Sequence, residues 1–127
     1  MNDRELLELA AKAAGIGPLD FDYCEREGHD FYFGPRLPMR EGVIMAAMHT
    51  YWDPQRNDSD AMGIAVALGM TVDFDYADAG LPNCVAVYLK GGERRYPEHY
   101  CGTFPDRAKN ARFAILSAAE RVGKAMP

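Results

Sequence analysis

Wherever this sequence takes on helical spacing, the face it would bury is built largely from alanine. From Asp3 to Ala14 the positions Leu6, Leu9, Ala10 and Ala13 share one side, with a capping residue at Asn2 or Asp3 and Gly15 just past the end. Between Trp52 and Gly69 a second helix follows an Asp53-Pro54 turn, capped at Asp58 or Ser59, with Ala61, Ile64, Ala65 and Leu68 inward. A third and longer helix opens on Thr103-Phe104-Pro105-Asp106, where Thr103 and Asp106 make a capping box and Pro105 suits a first turn. Its stripe is Ala111, Ala114, Ile115, Ala118 and Val122, and Gly123 loosens its end. Faces this shallow let a helix lie close against a sheet, and charged residues such as Glu5, Glu8, Lys109 and Arg121 take the outer sides.

The sheet comes from segments with a period of two. Met70, Val72, Phe74 and Tyr76 alternate with Thr71, Asp73 and Asp75, which predicts one buried and one solvated, acidic face. CVAVYLK then runs into Gly91-Gly92, a hairpin signal, and ERRYPEHYC returns, with Pro97 placing that strand at an edge or a bulge. Residues 16–42 carry too many glycines and prolines for a helix and read as loops around short strands, FDY and DFYF pairing across a turn from Glu25 to Gly28. The stretch GVIMAAMHTYW, 42–52, reads as a buried strand, with a buried helix as its alternative. These pieces define an α+β fold: a small antiparallel β-meander of three or more strands packed with about three helices as a two- or three-layer sandwich.

At 127 residues there is material for one core, so the chain is read as a single domain, 1–127. Acidic residues outnumber basic ones 19 to 14, and the net charge of −5 works against attraction to phosphate backbones or anionic lipid. Neither a nucleic-acid polymer nor a membrane is expected as partner, and the charges are too interspersed for an imitation of DNA. No apolar run approaches the ~20 residues that span a bilayer, and the first turn carries acids where a signal peptide would carry none, so the cytoplasm is the expected compartment. Cys24, Cys84 and Cys101 lack a CxxC spacing and read as free thiols.

Four constellations have the residue types for chemistry. Cys24, His29, His99 and Cys101 are zinc-type ligands, but their gaps are not finger-like, and packed thiols and histidines account for them as well. Asp53, Asn57, Asp58 and Asp60 offer oxygens at short spacing without the glycine and glutamate of a calcium loop, which leaves turn and cap chemistry; Asp73 and Asp75 read as a solvated strand face. No nucleophile elbow or phosphate loop is present, Ser59 and Ser117 read as helix residues, and no metal or cofactor is expected. The remaining set is a binding surface. Aromatic planes fill partner pockets or stack on bases and arginine forks grip carboxylate or phosphate, which selects Phe31, Tyr32, Phe33, Arg36, Trp52, Arg94 and Arg95 as ligand-binding candidates. For Trp52, as for Phe74 and Tyr76, core packing is the favoured reading.

The box WDPQRNDSDAMGIAVALGMTV, followed at a distance by DRAKNARFAILSAAERVGKAM, resembles small phage and prophage proteins of the NinX-like and phage ABA sandwich type. Trp52, Asp53, Pro54, Asp58, Asp60, Ala61, Leu68 and Arg107 or Arg112 carry the resemblance, which covers about half of the chain. It implies a layered helix and sheet fold of viral origin, with no settled activity to inherit. The expectation is a non-enzymatic accessory protein that works by binding, countering a host defence by occupying a host protein or sequestering a signalling nucleotide. The alternatives are a small metal-dependent hydrolase using His99, Cys101 and aspartates, and a structural or regulatory phage protein. A homo-oligomer is expected, because an edge strand and surface aromatics gain core by pairing.

Overall fold

A computed structural model describes residues 3–16, 19–24, 26, 29–33, 52–74, 76, 83–90, 99–102 and 104–127. Helix α1 (Asp3–Ala13) is followed by strands β1 (Asp20–Cys24) and β2 (His29–Phe33), helix α2 (Asp58–Ala67), strands β3 (Thr71–Asp73), β4 (Val85–Tyr88) and β5 (His99–Cys101), and helix α3 (Arg107–Ala125). Helices and antiparallel strands occupy separate stretches of chain, which makes the protein α+β.

Strands β1 and β2 pair as the expected hairpin, with Phe21 opposite Tyr32 and Cys24 opposite His29. The other sheet has the order β3-β4-β5. Its middle strand reads VAVY and is buried at all four positions, as a strand covered on both faces must be. Val72 lies opposite Val87 on one side and His99 opposite Val87 on the other. Residues 42–51, Gly91-Gly92 and Pro97, on which further strand and turn expectations fall, lie outside the described residues.

The three helices form where expected, and their ends show why. After α1 and α2 the chain turns at Gly15 (φ 74°) and Gly69 (φ 63°), a left-handed conformation open to glycine at little strain. Ile16 N–H then reaches Ala11 O and Met70 N–H reaches Ala65 O, both at 2.9 Å, while each glycine N–H bonds one carbonyl further on. This pattern satisfies carbonyls that a helix end leaves open.

The N-terminal caps differ from expectation by a few positions. Asn57, one residue before Asp58 and Ser59, caps α2 by accepting from Asp60 N–H at 3.0 Å. Asp106, rather than Thr103, caps α3 by accepting from the N–H groups of Ala108 and Lys109, so Pro105 precedes the helix instead of entering its first turn. Before α2 three cap formers, Asn57, Asp58 and Ser59, stand in a row, and the one whose backbone is extended takes the role; Asp106 is likewise extended.

Helix α3 organises the packing, touching α1, α2, β4 and β5. Its buried surface is accordingly wider than a single stripe: Ala114, Ile115, Ala118 and Ala119 are joined by Asn110 and Gly123. Gly123 corrects an expectation. It does not loosen the helix end, because α3 runs on to Ala125 and the glycine is buried against α1. A Cβ there would overlap the Leu9 carbonyl oxygen and stand 2.9 Å from its carbon, so the two backbones meet where a side chain is missing. Helix α1 is turned slightly from the expected face as well: Leu7, Ala10 and Ala11 are its buried residues, while Leu6 packs at the margin. The run LLELAAKAA satisfies helical spacing from Leu6 and equally from Leu7, and contact with α3 selects the second.

Phe74 is the other correction in the core. It is 40% exposed, where alternation along 70–76 places it inside. The β3–β4 ladder ends at Asp73 opposite Ala86, so Phe74 begins a turn to which the period of two no longer applies. Met70 and Val72 are partly buried against the core, and Tyr76 is half-buried.

Candidate functional site

The segment from Trp52 to Asp60 is a closed structural unit. Trp52, 6% exposed, is part of the core with Ile64 and Ile115, which is its favoured reading, and Pro54 beside it is fully buried. Asp53 is buried too, and its backbone organises the turn: its carbonyl accepts from Arg56 and Asn57 N–H, and its N–H donates to Asp60 Oδ2 at 2.9 Å. Its carboxylate pairs with Arg56 at 3.1 Å. Each member of the acidic set therefore has a structural task, Asp53 and Asp60 fixing the turn, Asn57 capping and Asp58 reaching outward. Turn and cap chemistry is what these oxygens do here.

Arg112, from the second turn of α3, locks this loop to the rest of the molecule. Its Nε donates to Gln55 O at 2.8 Å and its guanidinium forms an ion pair with Asp58 Oδ1, while its side chain is only 14% exposed. The bond to Gln55 contributes more than the ion pair, because charge-assisted bonds sheltered from solvent are worth about 1.5–3 kcal/mol and a pair with an exposed carboxylate at most ~1 kcal/mol. Arg112→Ala is expected to lower stability by about 2–3 kcal/mol in urea unfolding. Arg112→Lys should recover little of it, because a single ammonium cannot reproduce the two-pronged grip on loop and helix.

Beside this latch the groove between α2 and α3 opens into a concavity of about 170 Å³. Its walls are Ala61 and Met62 from α2, Ala108, Ala111 and Ile115 from α3, and Phe74 from the turn after β3; Arg112 and Asp58 also line it. The alanines make the hollow. Three of its wall positions carry a methyl group where a larger residue would fill the space, and Phe74 and Met62, each about 40% exposed, stand at its edge. The surface is apolar with a guanidinium and a carboxylate beside it, which suits an apolar group next to a polar one.

The residues selected from sequence are distributed differently. Phe31, Tyr32 and Phe33 lie on β2, in register with Asp22, Phe21 and Asp20. Arg36, Arg94 and Arg95 lie outside the described residues, and Trp52 is in the core. Cys24 and His29 face each other across the β1–β2 ladder, while His99 and Cys101 belong to β5 in the other sheet. Among the described residues no three His, Cys, Asp or Glu side chains gather closely enough to hold a metal ion. Cys84, buried, and Cys101, half-buried, are not joined in a disulfide.

Sequence reading passed over Met62 and Asn110 and assigned Phe74 to the core. Met62 and Phe74 have no signal short of the fold, since the helix and the turn that bring them together are set by tertiary packing. Asn110 has one: it stands four residues before Ala114 and eight before Ala118, a polar side chain in the buried register of α3. Compared with known proteins, the chain matches no family model, no curated protein and no solved structure. Among the described residues no helix is long and apolar enough to cross a membrane.

Proposed function

We propose that the chain is a non-enzymatic accessory protein of phage type that acts by occupying a partner protein, and that the hollow between α2 and α3 receives an apolar side chain of that partner. The hollow's size carries this reading. At about 170 Å³ it lies below the ~300–1,000 Å³ of pockets that enclose drug-sized molecules, yet it can admit an aromatic or branched aliphatic side chain. At this hollow that weighs for a side chain of a host protein over a sequestered nucleotide. Arginine and large aromatic side chains are also enriched in the energetic centres of protein interfaces, and this hollow has Arg112 and Phe74 in its lining.

The likeness of the Trp52–Val72 box and the alanine-lined final helix to phage ABA sandwich proteins supports the viral part of the proposal, together with a layered sandwich as the finer description of the fold. The cytoplasm of the host is the corresponding place of action. Phe74→Ala tests the binding reading directly, because Phe74 is exposed and its loss leaves the core in place. A host protein retained on the immobilised wild-type chain is expected to lose at least tenfold in affinity for Phe74→Ala by titration calorimetry, with thermal stability unchanged within a degree or two. Equal affinity for both chains, or a nucleotide panel that stabilises both against heat with no protein retained, overturns it.

A further inference from the structure

Helix α2 carries two apolar faces and the fold uses one. Ala61, Ile64, Ala65 and Leu68 turn inward, with the first three buried and Leu68 packed at the margin. Ser59, Met62, Gly63 and Val66 repeat the same i, i+3, i+4, i+7 spacing on the outside, and all four are exposed, Val66 to 75%. The only charges of the helix are Asp58 and Asp60 in its first turn. A helix free of charge on every side beyond its first turn is the pattern of a helix covered all round.

Gly63 stands in the middle of this outer face, and nothing among the described residues accounts for it. Its φ is helical and a Cβ would meet nothing within 4 Å, yet glycine weakens a helix interior by about 1 kcal/mol relative to alanine. The same molecule shows what a mid-helix glycine does when it is occupied: at Gly123 the backbone of α1 enters the space of the missing side chain. Gly63 offers the same close approach to a helix from outside.

The charges around the face select the helix that fits it. Asp60 and Asp58, the latter already paired with Arg112, make the N-terminal end acidic, and at the opposite end the side chain of Lys90 lies over Gly69, its Cδ 3.5 Å from where a Cβ would be. Lys90 is exposed. Two copies of α2 laid antiparallel about a two-fold axis near Gly63 bring the acidic first turn of each towards Lys90 of the other, while a parallel arrangement sets like charges together. We propose that the outer face of α2 is a self-association surface, on which a second copy of this chain packs antiparallel through Gly63 and Val66. The contact is small. Ten residues of helix span about 15 Å, so the buried area sits near the lower limit for a specific interface and the dissociation constant is expected in the micromolar range. Met62 borders both this face and the hollow beside it, but self-association through Gly63 and Val66 does not require the hollow to have a partner.

Sedimentation equilibrium of the full chain from about 5 to 500 µM is the test, with Gly63→Gln and Val66→Lys as variants. The wild type is expected to move from monomer to dimer over this range, and each variant to dissociate at least tenfold more readily. Gly63→Gln should at the same time melt a few degrees higher when dilute, because glutamine is the better helix former and its Cβ meets nothing within 4 Å among the described residues. A gain in monomer stability together with a loss of dimer has no explanation in misfolding. A wild type that stays monomeric to 500 µM overturns the proposal, and so does a dimer that both variants leave intact.

Discussion

Asn110→Ala is expected to remove about 3–5 kcal/mol of folding stability, a large part of what a domain of this size has. The side chain is fully buried, and its amide holds three stretches of chain at one point. Nδ2 donates to Asn83 O and to Phe104 O, both at 2.9 Å, while Oδ1 accepts from Phe104 N–H at 3.2 Å and from the Cys101 thiol at 3.5 Å. Asn83 itself sits in the left-handed region (φ 60°), just before β4, and donates from its own side chain to Pro105 O at 2.9 Å. Alanine at 110 leaves two carbonyls and an N–H with their bonds to the amide broken, each worth about 1–3 kcal/mol when buried, and opens a small cavity. Asn110→Leu keeps the volume but not the bonds, so it should recover only a minor part. Urea unfolding of both variants checks this, and a loss below 1 kcal/mol for either would show that water or a shifted backbone replaces the amide.

The second large effect comes from adding one carbon. Gly123→Ala is expected to destabilise by about 2–4 kcal/mol although alanine is the better helix former by ~1 kcal/mol. The atoms that the new methyl group meets are the carbonyl and Cα of Leu9, which belong to the backbone of α1 and cannot swing aside. The helices must separate, and the contacts of Leu7, Ala10 and Ala11 with α3 loosen with them. Gly63→Ala is the internal control. With open space around its position the same substitution should raise the stability of the dilute protein by about 0.5–1 kcal/mol, so one chemical change takes opposite signs in two helices. Thermal and urea unfolding at low protein concentration separate the two cases.

Helices α1, α2 and α3 were legible because their evidence is local: apolar residues recur every three or four positions and a glycine follows two of the three ends. The β1–β2 hairpin was legible for the same reason, a turn flanked by aromatic residues. What local text does not contain is the choice between equivalent readings. Leu6 and Leu7 start equally good faces, and Asn57, Asp58 and Ser59 are all cap formers; α3 decides the first and the backbone entering α2 decides the second. Phe74 lies one residue beyond the ladder that alternation assumes, and Gly123 looks like an end signal until α1 is placed against it. The candidate site was the least legible part. Its walls come from residues 58–62, 74 and 108–115, and the hollow exists because alanines from two distant helices face each other. Arginine and aromatic content pointed instead to segments such as Phe31–Phe33, a matter of composition with no positional information in it.

The position of α3 in the chain has a kinetic side. Every element it touches precedes it, so a growing polypeptide leaves the ribosome with α1, α2 and the strands already made and no surface on which to settle. Contacts such as Arg112 with Gln55 close loops of more than fifty residues, which is slow compared with forming a helix. Folding then waits until this segment has emerged, and until then the alanine faces stand open to chaperones and to one another.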